Sequence, residues 1–434
     1  MSAANPEAAA VAGLKERLFH DVRGRLSTHP APDGGADRRE WGRAVIAGAL
    51  RDLAEEELRA GRTPPARSAE EQAARYVWDA LFGLGGLQPL LDDPEVENIN
   101  CNGCDVVHVR RADGSRQQVR PVAATDAELV DLIRTVAARG TSGERRLDRG
   151  SPAVSVELPD GSRLFAVLDI SRRPAIAIRR HRYRDVTLAE LERLGTIDPR
   201  VRALLAAAVK APLNIVVSGG TAAGKTTLLR ALCAEIPPAE RLVTIEDAYE
   251  LGLGREHRIH PDVVELQARD PNTEGAGAVP LAKLTRWALR MSPDRVIVGE
   301  VRGSEGLPMV QAMSQGNDGS MSTVHASTSA GALLRLATYL MRAEGVSLTT
   351  ANLMLSGAIH LVAHLDTRAD GARVVTSIRE VVGADGDHVI SNEIIRPAPD
   401  ASHTGRGGVP GAPIRATTMD KLASAGFTPE LMAD

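Results

Sequence analysis

Residues Gly219-Gly-Thr-Ala-Ala-Gly-Lys-Thr226 satisfy the pattern G-x-x-x-x-G-K-[ST] in full. The chemistry this pattern supports is the holding of phosphate. Glycines let main-chain N–H groups close on phosphate oxygens, and a helix starting there adds the positive end of its dipole. The candidate cradle is therefore Gly219, Gly220, Thr221, Ala222, Ala223, Gly224, Lys225, Thr226 and the adjoining Thr227. Lys225 would reach the β- and γ-phosphates, and the Thr226 hydroxyl would ligate Mg2+. Lysine occurs elsewhere only at positions 15, 210, 283 and 421, and arginine supplies the remaining positive charge. A chain that prefers arginine has kept a compact ammonium where one must fit among phosphates.

A phosphate cradle alone hydrolyses nothing. In a parallel sheet ligands sit at the carboxyl ends of strands, so acids for metal and water should appear at other strand ends. Three runs fit. Arg241-Leu-Val-Thr-Ile245 is followed by Glu246-Asp247, Arg295-Val-Ile-Val-Gly299 by Glu300, and Ser320-Met-Ser-Thr-Val324 by His325. A lone acid after a strand is often a helix cap, and a lone histidine there is often structural. Three such ends after a complete P-loop, in chain order, favour function. The expected chemistry is in-line attack of water on a γ-phosphate, with a carboxylate orienting the water. Glu300, Glu246 and His325 are the catalytic candidates, and Thr226, Glu246, Asp247 and Glu300 the candidate metal ligands.

A second constellation is weaker. Cys101-Asn-Gly-Cys104 is a C-x-x-C with His108 nearby, but Cys233 is the one further cysteine, so a four-cysteine zinc site is impossible. Asn102-Gly103 between apolar runs reads better as a hairpin turn.

Positioning these residues takes an ordered set of elements. Leu213 to Val217 reads as a buried strand, and Thr226 to Ala234 as the helix behind the cradle. Residues 1–75 are helical in pattern, with a break at Gly61-Arg-Thr-Pro-Pro65. Residues 76–183 read as a smaller α/β domain, with strand-like alternation in Val106 to Arg110 and a β-rich stretch from Ala153 to Arg180. Residues 184–397 alternate helix and strand, which predicts a parallel sheet with crossover helices. Residues 398–434 combine a Pro/Gly-rich connection with a short helix around Met419 to Ala425.

Composition bounds the rest. A chain of 434 residues with 43% hydrophobic content can build two or three domains. A net charge of −4 and 3% aromatic residues give no footprint for nucleic acid, so none is expected as a direct ligand. Glu7 interrupts the opening, so no signal peptide is read, and no run of 18 apolar residues predicts a membrane span. A cytoplasmic protein is expected.

Several stretches resemble the secretion and pilus-assembly ATPases of the type II/type IV secretion superfamily, most nearly its tight-adherence (Flp) pilus branch of CpaF/TadA-like proteins. Leu81-Phe-Gly-Leu-Gly-Gly-Leu-Gln-Pro-Leu-Leu91 and Glu97-Asn-Ile-Asn-Cys-Asn-Gly103 resemble the entry into that family's N-terminal domain. Leu158-Pro-Asp-Gly-Ser-Arg163 and Ile178-Arg-Arg180 resemble the interdomain side of its nucleotide site. Thr244-Ile-Glu-Asp247 resembles its Asp box, Leu289 to Gly303 its Walker B region, and Gly316 to Ala326 its His box. The family often has histidine where Asn317 stands, and there this chain departs from the pattern.

The resemblance implies a homohexameric ring of subunits, each a RecA-like P-loop ATPase domain preceded by the smaller α/β domain and N-terminal helices. It also implies ATP with Mg2+ as cofactors, lying between the two domains. Arg163, Arg179 and Arg180 carry over as phosphate-sensing arginines, Arg179 among the catalytic group, and Arg302 as a support of the Walker B turn. An inner-membrane platform protein would be the partner, giving peripheral association with the cytoplasmic face of the membrane. The alternative is a RecA-like hexameric DNA-translocating or conjugation ATPase, which shares the P-loop and the acids.

Overall fold

The computed structural model describes residues 6–28, 35–139, 147–180, 186–255, 259–269, 271, 276–398 and 408–432. Residues 399–407, half of the Pro/Gly-rich connection read near the C-terminus, lie outside the described residues. Contacts divide the chain into two units, Met1–Arg180 and His181–Asp434.

The first unit begins with helices α1 (Pro6–Thr28), α2 (Gly35–Arg59) and α3 (Arg67–Leu81). Leu14, Leu18 and Val22 on α1, Ile46, Ala49 and Leu53 on α2, and Ala73 and Val77 on α3 recur at three- and four-residue spacing and form a common core. A short α4 (Gln88–Asp92) leads to β1 (Val96–Asn102), β2 (Val107–Arg111), β3 (Arg116–Val119), α5 (Asp126–Arg139), β4 (Ala153–Glu157), β5 (Arg163–Val167) and β6 (Ala175–Arg179). The sheet runs β3-β2-β1-β6-β5-β4, and every neighbouring pair is antiparallel. Ile99, Val107, Leu164, Ile176 and Ile178 point to the face that packs on Leu129, Ile133 and Ala137 of α5.

The Asn-Gly signal marks the β1–β2 hairpin as expected, with Gly103 at φ +89°. A side chain there would collide with Arg173, whose guanidinium pairs with Asp126 and Asp105 at 2.7 Å each. All three cysteines are buried free thiols, and burial pushes Cys101 up to about 12. They are inert at neutral pH.

The second unit contains α6 (Leu188–Arg193), α7 (Pro199–Lys210), β7 (Ile215–Gly219), α8 (Lys225–Cys233), β8 (Leu242–Glu246), β9 (Val263–Gln267), α9 (Leu281–Ala288), β10 (Arg295–Val301) and α10 (Gly306–Ser314). It continues with β11 (Met321–His325), α11 (Ser329–Glu344), α12 (Leu348–Ala358), β12 (Leu361–Thr367), β13 (Arg373–Asp385), β14 (His388–Pro397), β15 (Gly408–Pro410) and α13 (Ala416–Ser424). Among the described residues nine strands form one sheet in the order β15-β14-β13-β12-β7-β11-β10-β8-β9. From β12 to β9 the neighbours are parallel.

The remainder departs from the wholly parallel expectation: β12–β13, β13–β14 and β14–β15 pair antiparallel. Short turns at Gly371 and Gly386, both at positive φ, join the first two of these pairs. A connection that short cannot return a strand parallel. The apolar runs in β12 and β13 resemble those of the parallel strands, so periodicity alone does not separate the two.

Both faces of the central strands are covered. Ile215, Val217 and Ile297 pack with α7 and α8, while Val216, Val296 and Val298 pack with α10, α11 and α12. This explains the unbroken hydrophobic runs before each candidate residue. Helices on the two faces are capped by side chains: Asp198 accepts from the Val201 N–H, Thr328 from Gly331 and Ser347 from Thr350. Among the described residues no helix is long and apolar enough to cross a membrane.

Candidate nucleotide site

The cradle joins β7 to α8. Gly224 sits at φ +96° as the N-cap of α8, and Ala222 is held at φ +62°, a region that residues with a Cβ rarely enter. No N-cap side chain accepts from the first turn of α8, the end of a helix whose N–H groups and dipole favour an anion. Gly219 must be glycine for a second reason: a Cβ there would lie 2.7 Å from the Leu365 carbonyl oxygen of β12.

Lys225, 7% exposed, donates from Nζ to the carbonyls of Gly219 at 3.3 Å and Gly220 at 2.9 Å. The same Nζ lies 3.1 Å from Nδ1 and 3.3 Å from Nε2 of His325, the last residue of β11. The ring's Nε2 is in turn 2.9 Å from Oε1 of Glu300. The two atoms are close without an aligned hydrogen bond, since Oε1 makes none. Burial and then the neighbouring Lys225 hold His325 below the usual imidazole range, with Glu300 opposing. The ring is therefore neutral at pH 7.

Glu300 is the penultimate residue of β10, inside the strand rather than after it. Its Oε2 accepts from the Arg302 guanidinium at 2.6 Å, and the same guanidinium stands 3.5 Å from Asp247. Arg302 is raised above its ordinary value, chiefly by that bond to Glu300. The turn that carries it is held by Glu305, whose carboxylate accepts from the main-chain N–H groups of Arg302 and Gly303. Lys225, His325, Glu300, Arg302 and Asp247 thus form one continuous chain across the tips of α8, β11, β10 and β8.

Glu246 ends β8 and is 3% exposed. Its Oε1 accepts from the N–H groups of Glu250 and Leu251, both at 2.9 Å, while its buried Oε2 has no partner. Burial pushes its pKa up to about 8, against those two hydrogen bonds. Gly299 leaves room for it, since a Cβ there would be 3.0 Å from Glu246 Cγ. Glu250, a residue that no strand-end reasoning singles out, accepts from the Thr226 hydroxyl at 3.3 Å. It lies in the loop after β8, four residues beyond Glu246, where nothing periodic marks it.

Among the described residues no three His, Cys, Asp or Glu side chains converge as a metal cage. The donors still suit Mg2+ carried in by a nucleotide, which takes few protein ligands beside phosphate and water. The Thr226 hydroxyl and the unpartnered carboxylate oxygens of Glu246 and Glu300 are hard oxygen donors of the required kind.

The three carried-over arginines belong to the first unit. Arg163 and Arg179 are register partners across β5 and β6. The Arg180 guanidinium donates to the main-chain carbonyls of Asp93 and Val96. Asn317 stands before β11, at the opposite end from His325, and donates to the Pro293 carbonyl at 2.6 Å. It holds the far rim of the sheet together and is not part of the chain of groups at Lys225.

The family model for type II/IV secretion system proteins matches residues 82–403. A putative conjugal transfer protein of Mycobacterium tuberculosis is 35% identical over 321 residues, covering 72% of this chain and 88% of that protein. The type IV secretion system protein PtlH of Bordetella pertussis is 31% identical, over 67% of this chain and 92% of its own length. Among solved structures, the VirB11 ATPase of the Brucella suis type IV secretion system is similar at 27% identity, with 71% of this chain and 96% of that one covered at a TM-score of 0.36. A match running from the end of α3 past β14 takes in both the first unit's sheet and every residue of the Lys225–Asp247 chain, and the protein belongs to the type II/IV secretion system family.

Proposed function

We propose that this protein is the ATP-hydrolysing motor of a secretion or pilus-assembly apparatus. The observation that carries the reading is the continuous chain Lys225–His325–Glu300–Arg302–Asp247 beside an uncapped phosphate loop. The Lys225 ammonium exchanges its carbonyl contacts for the β- and γ-phosphates. The N–H groups of the cradle bind the remaining phosphate oxygens. Glu300, held by the Arg302 guanidinium, orients the attacking water. His325, neutral between the ammonium and the carboxylate, keeps the two apart and offers a ring nitrogen near the γ-phosphate. Mg2+, held through Thr226 with Glu246, Asp247 and Glu300 in its surroundings, supplies neutralisation of phosphate charge when bound.

The finer assignments are part of the same proposal. Arg163, Arg179 and Arg180 would bring phosphate-sensing charge from the first unit. Six copies would form a ring, and loss of the γ-phosphate would shift one unit against the other. An inner-membrane platform protein would convert that shift into extraction or export, with the ring at the cytoplasmic face. The motif resemblance supports the tight-adherence pilus branch as the apparatus.

A second reading, a DNA-translocating or conjugation motor, is favoured by the name of the mycobacterial relative. The net charge of −4 and 3% aromatic content weigh toward a protein cargo. Turnover stimulated by DNA, with salt-dependent DNA binding, would favour this second reading.

The test is Glu300→Gln. Its turnover of ATP should fall at least about 100-fold, the scale of a lost catalytic acid–base group, while nucleotide still binds. Turnover at the wild-type rate would remove Glu300 from the mechanism.

A further inference from the structure

Two polar side chains face each other in a stretch of sheet whose other residues are apolar. Ser218 on β7 and His364 on β12 are register partners on parallel strands. Ser218 is fully buried and His364 is 2% exposed, among Val216, Val217, Val362, Ala363 and Leu365. The Ser218 hydroxyl lies 2.9 Å from Nδ1 of His364 and 3.5 Å from the Ala363 carbonyl. Nε2 of the ring is 3.5 Å from an Asp366 carboxylate oxygen, without a hydrogen bond. The other Asp366 oxygen accepts from the Thr376 hydroxyl at 2.9 Å.

Serine, histidine and aspartate in a row suggest a nucleophilic triad, but Ser218 has no exposed surface, so no substrate can reach its hydroxyl. What the row touches is the phosphate loop. Gly219 follows Ser218, and its carbonyl accepts from Lys225 Nζ and from the Ala326 N–H, each at 3.3 Å. Leu365, the residue after His364, is the one whose carbonyl leaves no room for a Cβ at Gly219. Thus β12 is the wall against which the start of the loop is set. A buried Ser–His pair costs more to desolvate than the valines and alanine around it. Such local violations are expected where a site is being shaped.

We propose that His364 is a positioning residue for the phosphate loop: its Nδ1 fixes the Ser218 hydroxyl, and through it the Gly219 carbonyl that seats the Lys225 ammonium. This rests on the nucleotide reading above. His364 itself touches no phosphate. The charged groups around its ring are Asp366 on its own strand and Lys225 on α8. Burial holds the ring below its ordinary pKa, with Asp366 opposing and Lys225 adding to the effect, and a neutral ring in its Nε2–H tautomer can accept the Ser218 hydroxyl proton at Nδ1, the direction that His364→Asn tests.

The experiment measures KM and kcat for ATP, with the affinity for a fluorescent ATP analogue, on the full chain. The variants are His364→Leu, Ser218→Ala, their double and His364→Asn, whose side-chain oxygen stands where Nδ1 does. His364→Leu and Ser218→Ala should each raise KM and weaken binding about tenfold, the scale of one hydrogen bond, with kcat within about threefold. The double should be no worse than the worse single, and His364→Asn should recover most of the loss. Wild-type KM and affinity in both singles, or losses that add in the double, would overturn the proposal. Should His364→Leu not fold, Ser218→Ala removes the same bond by deleting a single oxygen and decides the question in the same terms. A wild-type chain that neither binds nor turns over ATP overturns the nucleotide reading itself, and this inference with it, before any variant is compared.

Discussion

Arg302 is the residue through which two acidic strand tips are held in one place. Its guanidinium bonds Glu300 at 2.6 Å and stands 3.5 Å from Asp247. Without it, Glu300 would lose the hydrogen bond that fixes its carboxylate in the site. Arg302→Ala should therefore lower kcat for ATP about 10- to 100-fold, the span of a misplaced general base. Nucleotide affinity should stay within about threefold, because Lys225 and the loop N–H groups are untouched. A kinetic and binding titration of that variant checks both numbers, and an unchanged kcat would make the bridge ornamental. Glu246 behaves differently. Burial raises its pKa to about 8, with one oxygen committed to the loop after β8 and the other unpartnered.

At the scale of elements, the ends of β8, β10 and β11 were readable because buried parallel strands are continuous apolar runs, and each run stops at a polar residue. Glu246, Glu300 and His325 stood out on that ground alone. Glu250 did not, since it reaches Thr226 from an irregular loop, and loops leave no period to count. The antiparallel pairing of β13 was hidden for the opposite reason, its apolar run being indistinguishable from those of the parallel core. The meaning of Ser218 and His364 lies in a cross-strand register that the sequence does not show.

Helix α3 shows a further effect that needs the fold. Asp79 is 8% exposed, and burial first, then the charge of Asp92, pushes it up to about 6, against Arg75. An unfolded aspartate titrates near 4. Folding thus favours the protonated form, and this group's contribution is intact below about pH 4 and lost as pH rises through about 6. Asp79→Asn should gain about 1–2 kcal/mol over wild type at pH 7.5 and nothing at pH 4. Denaturant titrations at the two pH values check this, and equal differences at both would contradict it.

For the whole molecule, the proposal requires assembly. A single chain holds the phosphate loop and its acids in the second unit, while the three arginines that the family resemblance assigns to phosphate lie in the first. Light scattering should find hexamers of the 46.0 kDa chain when ATP is present. Monomers at every concentration, with and without nucleotide, would contradict the ring. The assignment of chemistry to the second unit can be probed more directly than its assembly. Phosphate release from ATP should be Mg2+-dependent in the wild-type chain and fall to background in Lys225→Ala, which also loses nucleotide. Release by Lys225→Ala at the wild-type rate would mean that hydrolysis happens somewhere other than the loop between β7 and α8.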